Sequence, residues 1–259
     1  MKILITAGGT TESIDTVRGI TNFATGSLGK LTAEEFLTHG HQVILLAGRF
    51  AQLPSEQENL TVIPIGDTQD LLNNVERFLP AVDVVVHSMA VSDYRPVYMT
   101  GVDDLPQPLT KEQLIHFRPE VQKKISSNSD YQMMLLEKTP KVISFIKKWK
   151  PEVLLFGFKL LSGVSEEHLL EVAQSKLKET SADFIIANDL ANIQGENHLA
   201  FLVSGSADIT QLQTKPQIAQ VIVKKSEEAH HGIYNSCCYW QHCSLQSCRY
   251  RLNAQQKEP

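Results

Sequence analysis

Three features of this 259-residue chain predict a doubly wound α/β fold with a mostly parallel, Rossmann-like sheet. Short apolar runs alternate with amphipathic stretches of helical period. The apolar runs are continuous rather than alternating, as in strands covered on both faces. Glycine-bearing and polar segments follow the runs, at the edge where parallel strands place ligands.

The elements follow in order. Lys2–Thr6 is a strand that breaks into Ala7-Gly8-Gly9-Thr10-Thr11, and Ser27–His39 is a helix with Leu28, Leu31, Phe36 and Leu37 on its apolar face. Gln42–Ala47 and Thr61–Ile65 are strands, and Asp67 caps a helix that runs through Phe78. Asp83–His87 and Val153–Phe158 are strands, and Ser165–Thr180 is an amphipathic helix. Asp183–Ala187 and Ala200–Val203 complete the strands, and Pro216–Lys225 closes the fold. The stretch Ser92–Ser129 has no periodicity and contains Pro96, Pro106, Pro108 and Pro119. Loops of that length serve function, so it is expected to be a long flap or dimerisation arm beside the site.

Composition narrows the class. A net charge of −5 with both signs interspersed argues against nucleic acid and against a membrane surface. No apolar run approaches the roughly 20 residues of a membrane span. The first residues read as strand rather than leader, and no cysteine precedes Cys237, which fits a cytoplasmic enzyme. Residues 1–229 are expected to form one domain. In the tail, 230–259, Cys237, Cys238, Cys243 and Cys248 match no paired Cys-x-x-Cys spacing, so no metal is assigned to them. The tail is expected to be disordered or out-of-frame sequence.

Two consecutive loops carry the chemistry. Gly8 and Gly9 let backbone N–H groups approach an anion closely. The second loop, Arg18 to Gly29, offers a guanidinium, the Asn22 amide and hydroxyls just before a helix N-terminus, which favours phosphate or carboxylate. Two such sites point to a nucleotide and a second anionic substrate. The turn lacks G-x-G-x-x-G, and strand two ends in Arg49 rather than an acid, so neither element of the dinucleotide fingerprint is present. Gly29-Lys30 is followed by Leu31, which excludes a Walker A loop. Polar residues also follow the later strands: Ser88 to Arg95, Gly157-Phe158-Lys159 and Ala187-Asn188-Asp189. Any one of these segments is also what an ordinary βα turn requires; their gathering at one sheet edge is the signal.

In order between Met1 and Lys225 stand I-T-A-G-G-T-T-E-x-I-D-x-V-R-x-I-T-N-x-x-T-G-x-L-G, A-V-S-D-Y-R-P, K-I-S-S, G-F and A-N-D. Together they resemble phosphopantothenoylcysteine synthetase, the phosphopantothenate–cysteine ligase of coenzyme A biosynthesis. The flavin-dependent decarboxylase domain fused to many bacterial members is missing, so the resemblance implies a free-standing bacterial form. It also implies ligation of 4′-phosphopantothenate to cysteine through an acyl-nucleotide, with CTP (ATP as the alternative), Mg²⁺ and a homodimer. Asn22 and Lys124 then take the catalytic positions. Gly8, Gly9, Thr10, Arg18, Gly26, Ser27, Gly29, Met89 and Ala90 take substrate-binding ones, and Asp93, Phe158 and Lys176 nucleotide-binding ones. No residue is implied as a metal ligand. Met89 departs from a frequent alanine, and Thr180 stands where relatives often carry a phosphate-binding lysine, a part open to Lys178.

The tail also has a resemblance. With suitable codons, Tyr239–Arg249 shifted by one nucleotide spells T-G-S-I-A-A-Y-K-A-A-D, which is similar to the opening of a flavoprotein decarboxylase. The competing functional class is a catalytically silent nucleotide-binding or sensing module, which would keep Gly8, Gly9 and Asp93 and tolerate loss of Asn22 and Lys124.

Overall fold

The computed structural model describes residues 1–107, 109–119, 129–194, 197–205 and 208–238. In chain order the elements are β1 (Lys2–Ala7), β2 (Thr11–Ser13), β3 (Gly19–Thr21), α1 (Ser27–Thr38), β4 (Gln42–Gly48), β5 (Leu60–Ile65), α2 (Thr68–Phe78), β6 (Val84–His87), β7 (Tyr94–Gly101) and α3 (Lys111–His116). There follow β8 (Gln132–Lys138), α4 (Ile143–Trp149), β9 (Leu154–Leu161), α5 (Glu166–Thr180), β10 (Phe184–Gln194), β11 (Asn197–Ser204), β12 (Ile209–Thr214) and α6 (Lys215–Cys238).

Eight strands form one sheet in the order β12-β11-β10-β9-β6-β1-β4-β5. The strands from β5 across to β10 are parallel, and β11 and β12 are added antiparallel. The parallel part is the doubly wound order 3-2-1-4-5-6. Chain direction across the sheet reverses between β1 and β6, and ligands bind at such a switch point.

The continuous apolar runs are explained by what covers them. One face of the sheet packs Leu71 and Val75 of α2, Ile146 of α4 and Leu169 and Ala173 of α5. The other packs Ala33 and Phe36 of α1 with Ile218, Ile222 and Val223 of α6. β6 is buried at every position and β1 from Ile3 onward. Among the described residues no helix is long and apolar enough to cross a membrane.

The expected strands and helices are present, and the structure adds others. The described part of the segment 92–129 carries regular structure. Tyr94–Gly101 pairs antiparallel with Gln132–Lys138, burying Tyr98 and Thr100, and Pro96 stands where the register shifts. α3 opens with a reciprocal capping box: Gln113 N–H donates to Thr110 Oγ1, and Thr110 N–H to Gln113 Oε1.

The closing helix also runs past its expected end at Lys225 and crosses the 229/230 boundary to Cys238. Nothing from Ser226 to His231 breaks a helix, and the buried Ser226 hydroxyl bonds back to the Ile222 carbonyl. The rest of the tail, 239–259, lies outside the described residues.

Candidate active site

The loops after β1 and β6 meet at the switch point. Ala90 N–H donates to the Gly8 carbonyl at 2.8 Å, and the Ala90 carbonyl accepts from Thr10 N–H at 3.2 Å. Gly9 and Ala90 thereby form an isolated parallel bridge beyond the sheet. Thr6 braces the pair from beneath. Its hydroxyl accepts from Met89 N–H and shares a hydrogen bond with Nδ1 of His87, both at 3.1 Å. Burial lowers the His87 pKa to about 4, so the ring stays neutral.

The glycines are dictated by contact. Gly8 has φ +83°, and a Cβ there would lie 2.8 Å from that of Ala51. A Cβ on Gly29 would lie 2.5 Å from that of Ala7, so helix α1 is seated directly on β1. Gly26, left-handed at φ 70°, is the N-cap of α1 and supplies no side-chain cap. The first-turn N–H groups of α1 are therefore aimed out of the loop with no side chain of the cap across them.

The β2–β3 hairpin carries the second loop over this platform. Its anchor is Glu12, 3% exposed, whose Oε1 accepts from the Thr68 hydroxyl at 2.6 Å and the Thr68 N–H at 2.9 Å. The hairpin delivers Asn22, whose Nδ2 donates to the Ala90 carbonyl at 3.1 Å. Arg18 is on the same hairpin but turned aside: Nε and Nη2 both bind Asp15 Oδ2, at 3.0 and 2.7 Å. Thr10 is fully buried, with its hydroxyl committed to Ser92. Its place in the site is that of a fastener joining the two loops.

Beside the loops lies a basic region. The exposed Asp93 carboxylate pairs with Lys141 at 2.8 Å, and the Lys176 ammonium pairs with Glu179 at 2.8 Å. Hydrogen bonding and charge from Lys176 hold the Glu179 carboxyl below its ordinary range, and Lys141 and Lys159 add to that field. Phe158, on β9, is partly buried against the core face that α1 and α6 cover. Asp189 is 2% exposed and accepts N–H bonds from Val164, Gly163 and Ala191, which hold its carboxyl below the usual range and tie the turn after β9 to β10. Lys124 and the K-I-S-S motif lie outside the described residues.

The structure thus brings Gly8, Gly9, Thr10, Asn22, Gly26, Gly29, Met89 and Ala90 into one platform, with Ser27 at its rim. Asp93 and Lys176 belong to the basic region, and Arg18 faces Asp15. Glu12, Lys141 and Lys215, the last bonded to the Ser27 hydroxyl, join the site without having been assigned to it from the sequence; of the three, only Glu12 stood inside a recognised motif.

This arrangement defines a Rossmann-like α/β domain whose glycine-bearing loops meet at the switch point of its sheet. The chain belongs to the DNA/pantothenate metabolism flavoprotein C-terminal domain family, whose model matches residues 1–102 and 116–229. The motifs read as those of phosphopantothenoylcysteine synthetases agree with that membership. The chain is 33% identical over 205 residues to the coenzyme A biosynthesis bifunctional protein CoaBC of Thermococcus kodakarensis, covering 78% of this chain and 44% of that protein. To the protein of the same name from Methanocaldococcus jannaschii it is 25% identical over 226 residues, covering 86% and 50%. The chain therefore spans about half the length of these curated relatives. The DNA/pantothenate metabolism flavoprotein from Streptococcus pneumoniae superposes with a TM-score of 0.81 at 43% identity, covering 88% of this chain and 99% of that one. The C-terminal domain of CoaBC does so with 0.66 at 28% identity, covering 89% and 96%.

Proposed function

We propose that this chain joins 4′-phosphopantothenate to L-cysteine by way of an acyl-cytidylate, as a CTP-dependent ligase acting as a cytoplasmic homodimer. The observation that carries this reading is the meeting of Asn22 with Ala90 above Gly8 and Gly9, beside a separate basic region around Asp93 and Lys176. One substrate is held on each side, and the reacting groups meet between them. Family membership and similarity to CoaBC proteins support the same reading.

In the first step the substrate carboxylate attacks the α-phosphorus of CTP. A new P–O bond forms, the bond to the β-phosphate breaks, and pyrophosphate leaves. Both partners are anions, so the contribution of the chain is to offset charge and fix geometry. Loop N–H groups and the N-terminus of α1 hold the acidic substrate, and Lys176, with Lys141 and Lys159 near it, faces the triphosphate. Lys124 is assigned to the transferring phosphoryl group.

In the second step the cysteine amine adds to the acyl carbon. The C–O bond to CMP then breaks and the amine proton is released, leaving the amide. The Asn22 amide is placed to donate to the acyl oxygen as negative charge gathers on it. Magnesium enters as the counter-ion of the triphosphate, which ordinarily keeps waters and takes few protein ligands. Among the described residues no three His, Cys, Asp or Glu side chains converge on a point, so no step is assigned to a protein-held metal.

The test is pyrophosphate release with 4′-phosphopantothenate and Mg²⁺, comparing CTP with ATP, with and without cysteine. Release that needs phosphopantothenate and prefers CTP supports the reading. Preference for ATP keeps the reaction and overturns the nucleotide. Absence of release from folded protein that still binds nucleotide makes the silent binding module the better account. Sedimentation velocity checks the homodimer.

A further inference from the structure

β1 and β6 are apolar along their buried lengths, and the exception in each falls on the same rung. Ile3, Leu4, Ile5 and Ala7 flank Thr6 in β1, and Val84, Val85 and Val86 precede His87 in β6. Thr6 and His87 are direct cross-strand partners. Thr6 is fully buried and His87 is 7% exposed. Taking a hydroxyl and an imidazole out of water costs free energy that one shared bond only partly offsets. A fourth valine would hold β6 in the sheet without that cost, so the rung answers a demand other than sheet strength.

The bonds of Thr6 show what that demand is. One threonine grips three consecutive residues where β6 ends. Its Oγ1 shares a hydrogen bond with His87 Nδ1 at 3.1 Å and accepts from Met89 N–H at 3.1 Å, and its carbonyl accepts from the Ser88 hydroxyl at 2.6 Å. A β-branched side chain has few rotamers, and the ring selects the one that sets Oγ1 under Met89 N–H. Ala90 comes next: its N–H donates to the Gly8 carbonyl at 2.8 Å, and its own carbonyl receives the Asn22 amide at 3.1 Å. An unbroken line of contacts therefore runs from His87 through Thr6, Met89 and Ala90 to Asn22. The Asn22 amide carries two hydrogens, so the one held by Ala90 directs the other.

We propose that His87 is a positioning residue of the ligation: through Thr6 it sets the Met89–Ala90 peptide, and through the Ala90 carbonyl it sets the aim of the Asn22 amide. This rests on the ligase reading above and adds to it a residue that acts on the second step without touching substrate. A donor stabilises a developing oxyanion only where it is already aimed at the place the charge will gather. A misplacement of about 1 Å can slow a reaction about 100-fold even when its origin is remote from the chemistry. The first step draws its charge from Lys176 and its neighbours, on other elements, and should feel the rung far less.

The experiment compares wild type with His87→Leu, His87→Asn and His87→Gln, each alone and combined with Asn22→Asp. Quench-flow reads the pyrophosphate burst and the amide product separately, and steady-state kinetics give KM for CTP. Asparagine puts a polar atom where Nδ1 stands, within reach of Thr6, and glutamine puts one where Nε2 stands. His87→Leu is expected to slow conversion of the acyl-nucleotide to amide about 10- to 100-fold, with the pyrophosphate burst and the KM for CTP unchanged. His87→Asn should recover most of the loss and His87→Gln little of it. In the Asn22→Asp background His87→Leu should change product formation by less than about twofold, because residues that act as a unit are not additive. The full loss repeated in that background overturns the assignment, as does wild-type product formation by His87→Leu or equal recovery by His87→Gln. Should a His87 variant not fold, Thr6→Val removes the hydroxyl while keeping its shape, and normal product formation by that variant overturns the assignment too. A wild type that releases no pyrophosphate overturns the ligase reading and the assignment with it, whereas failure of the assignment alone leaves wild-type turnover intact.

Discussion

The amide of Asn22 and the carbonyl of Ala90 lie 3.1 Å apart although 68 residues separate them in sequence. The same carbonyl receives Thr10 N–H, so one oxygen joins the loops after β1 and β6 to the end of the β2–β3 hairpin. Asn22→Asp keeps the size of the side chain but replaces the donor with an acceptor beside that carbonyl. Pyrophosphate release should persist while conversion to the amide product falls about 100- to 1,000-fold, the effect of losing one donor to a developing oxyanion. Quench-flow with separate assays of pyrophosphate and product distinguishes the two steps. Normal product formation would remove Asn22 from the second step.

Glu12 should matter to stability first and to activity second. Glu12→Ala strips the acceptor from Thr68 N–H and hydroxyl at the start of α2, leaving buried donors unpaired. A loss of about 1–3 kcal/mol is expected, read from urea denaturation. Glu12→Gln keeps one acceptor oxygen and should lose less. If both variants unfold at the wild-type midpoint, Glu12 does not anchor the hairpin.

Two glycines separate steric from conformational demands. A Cβ on Gly48 would stand 2.3 Å from the Gly9 carbonyl oxygen, so Gly48→Ala must displace the loop after β1. Substrate binding should fall together with stability, the latter by about 1–3 kcal/mol. Gly40 has φ +77° and nothing within 4 Å of a Cβ. Gly40→Ala should therefore cost only the left-handed strain, about 1–2 kcal/mol, with substrate affinity intact.

His87 predicts a pH dependence. Its folded-state pKa, about 4, lies below the ordinary 6.5 because the ring is buried. Between those values the unfolded chain binds the extra proton. Stability from this group is full above pH 6.5, declines as pH falls toward 4, and levels off below that. The total is about 3 kcal/mol. His41 and His198 are shifted in the same direction, both chiefly by burial, so the informative quantity is the difference from His87→Leu. Denaturation of that variant between pH 7.5 and about 4.5 should show a shallower slope than wild type. Parallel slopes would mean that His87 does not titrate there.

The parallel core was legible because its strands are buried on both faces, and such strands read as continuous apolar runs. Elements outside it were harder to see. β2 and β3 are three-residue strands with no pattern of their own. β8, reading Gln132-Met133-Met134-Leu135-Leu136-Glu137-Lys138, lacks the β-branched residues that mark a strand. Thr110 and Gln113 did carry a capping signature, hidden within a stretch read as a flap. The platform glycines were visible because a tight turn admits little else. Lys215 was not, since only the folding of α6 against α1 brings it to Ser27.

That packing bears on synthesis. β1 is made first and ends in the middle of the sheet, between β6 and β4. On the α1 side of the sheet, β9, β11 and β12 are covered by α6, whose Ile218, Ile222 and Val223 are made near the end. A nascent chain emerging from the ribosome therefore leaves that side of β9, β11 and β12 without its helix until residue 223 is free of the exit tunnel. Long-range closure of this kind is slow and leaves apolar surface uncovered meanwhile. A translational pause placed before α6 should therefore raise the demand of the protein for chaperones.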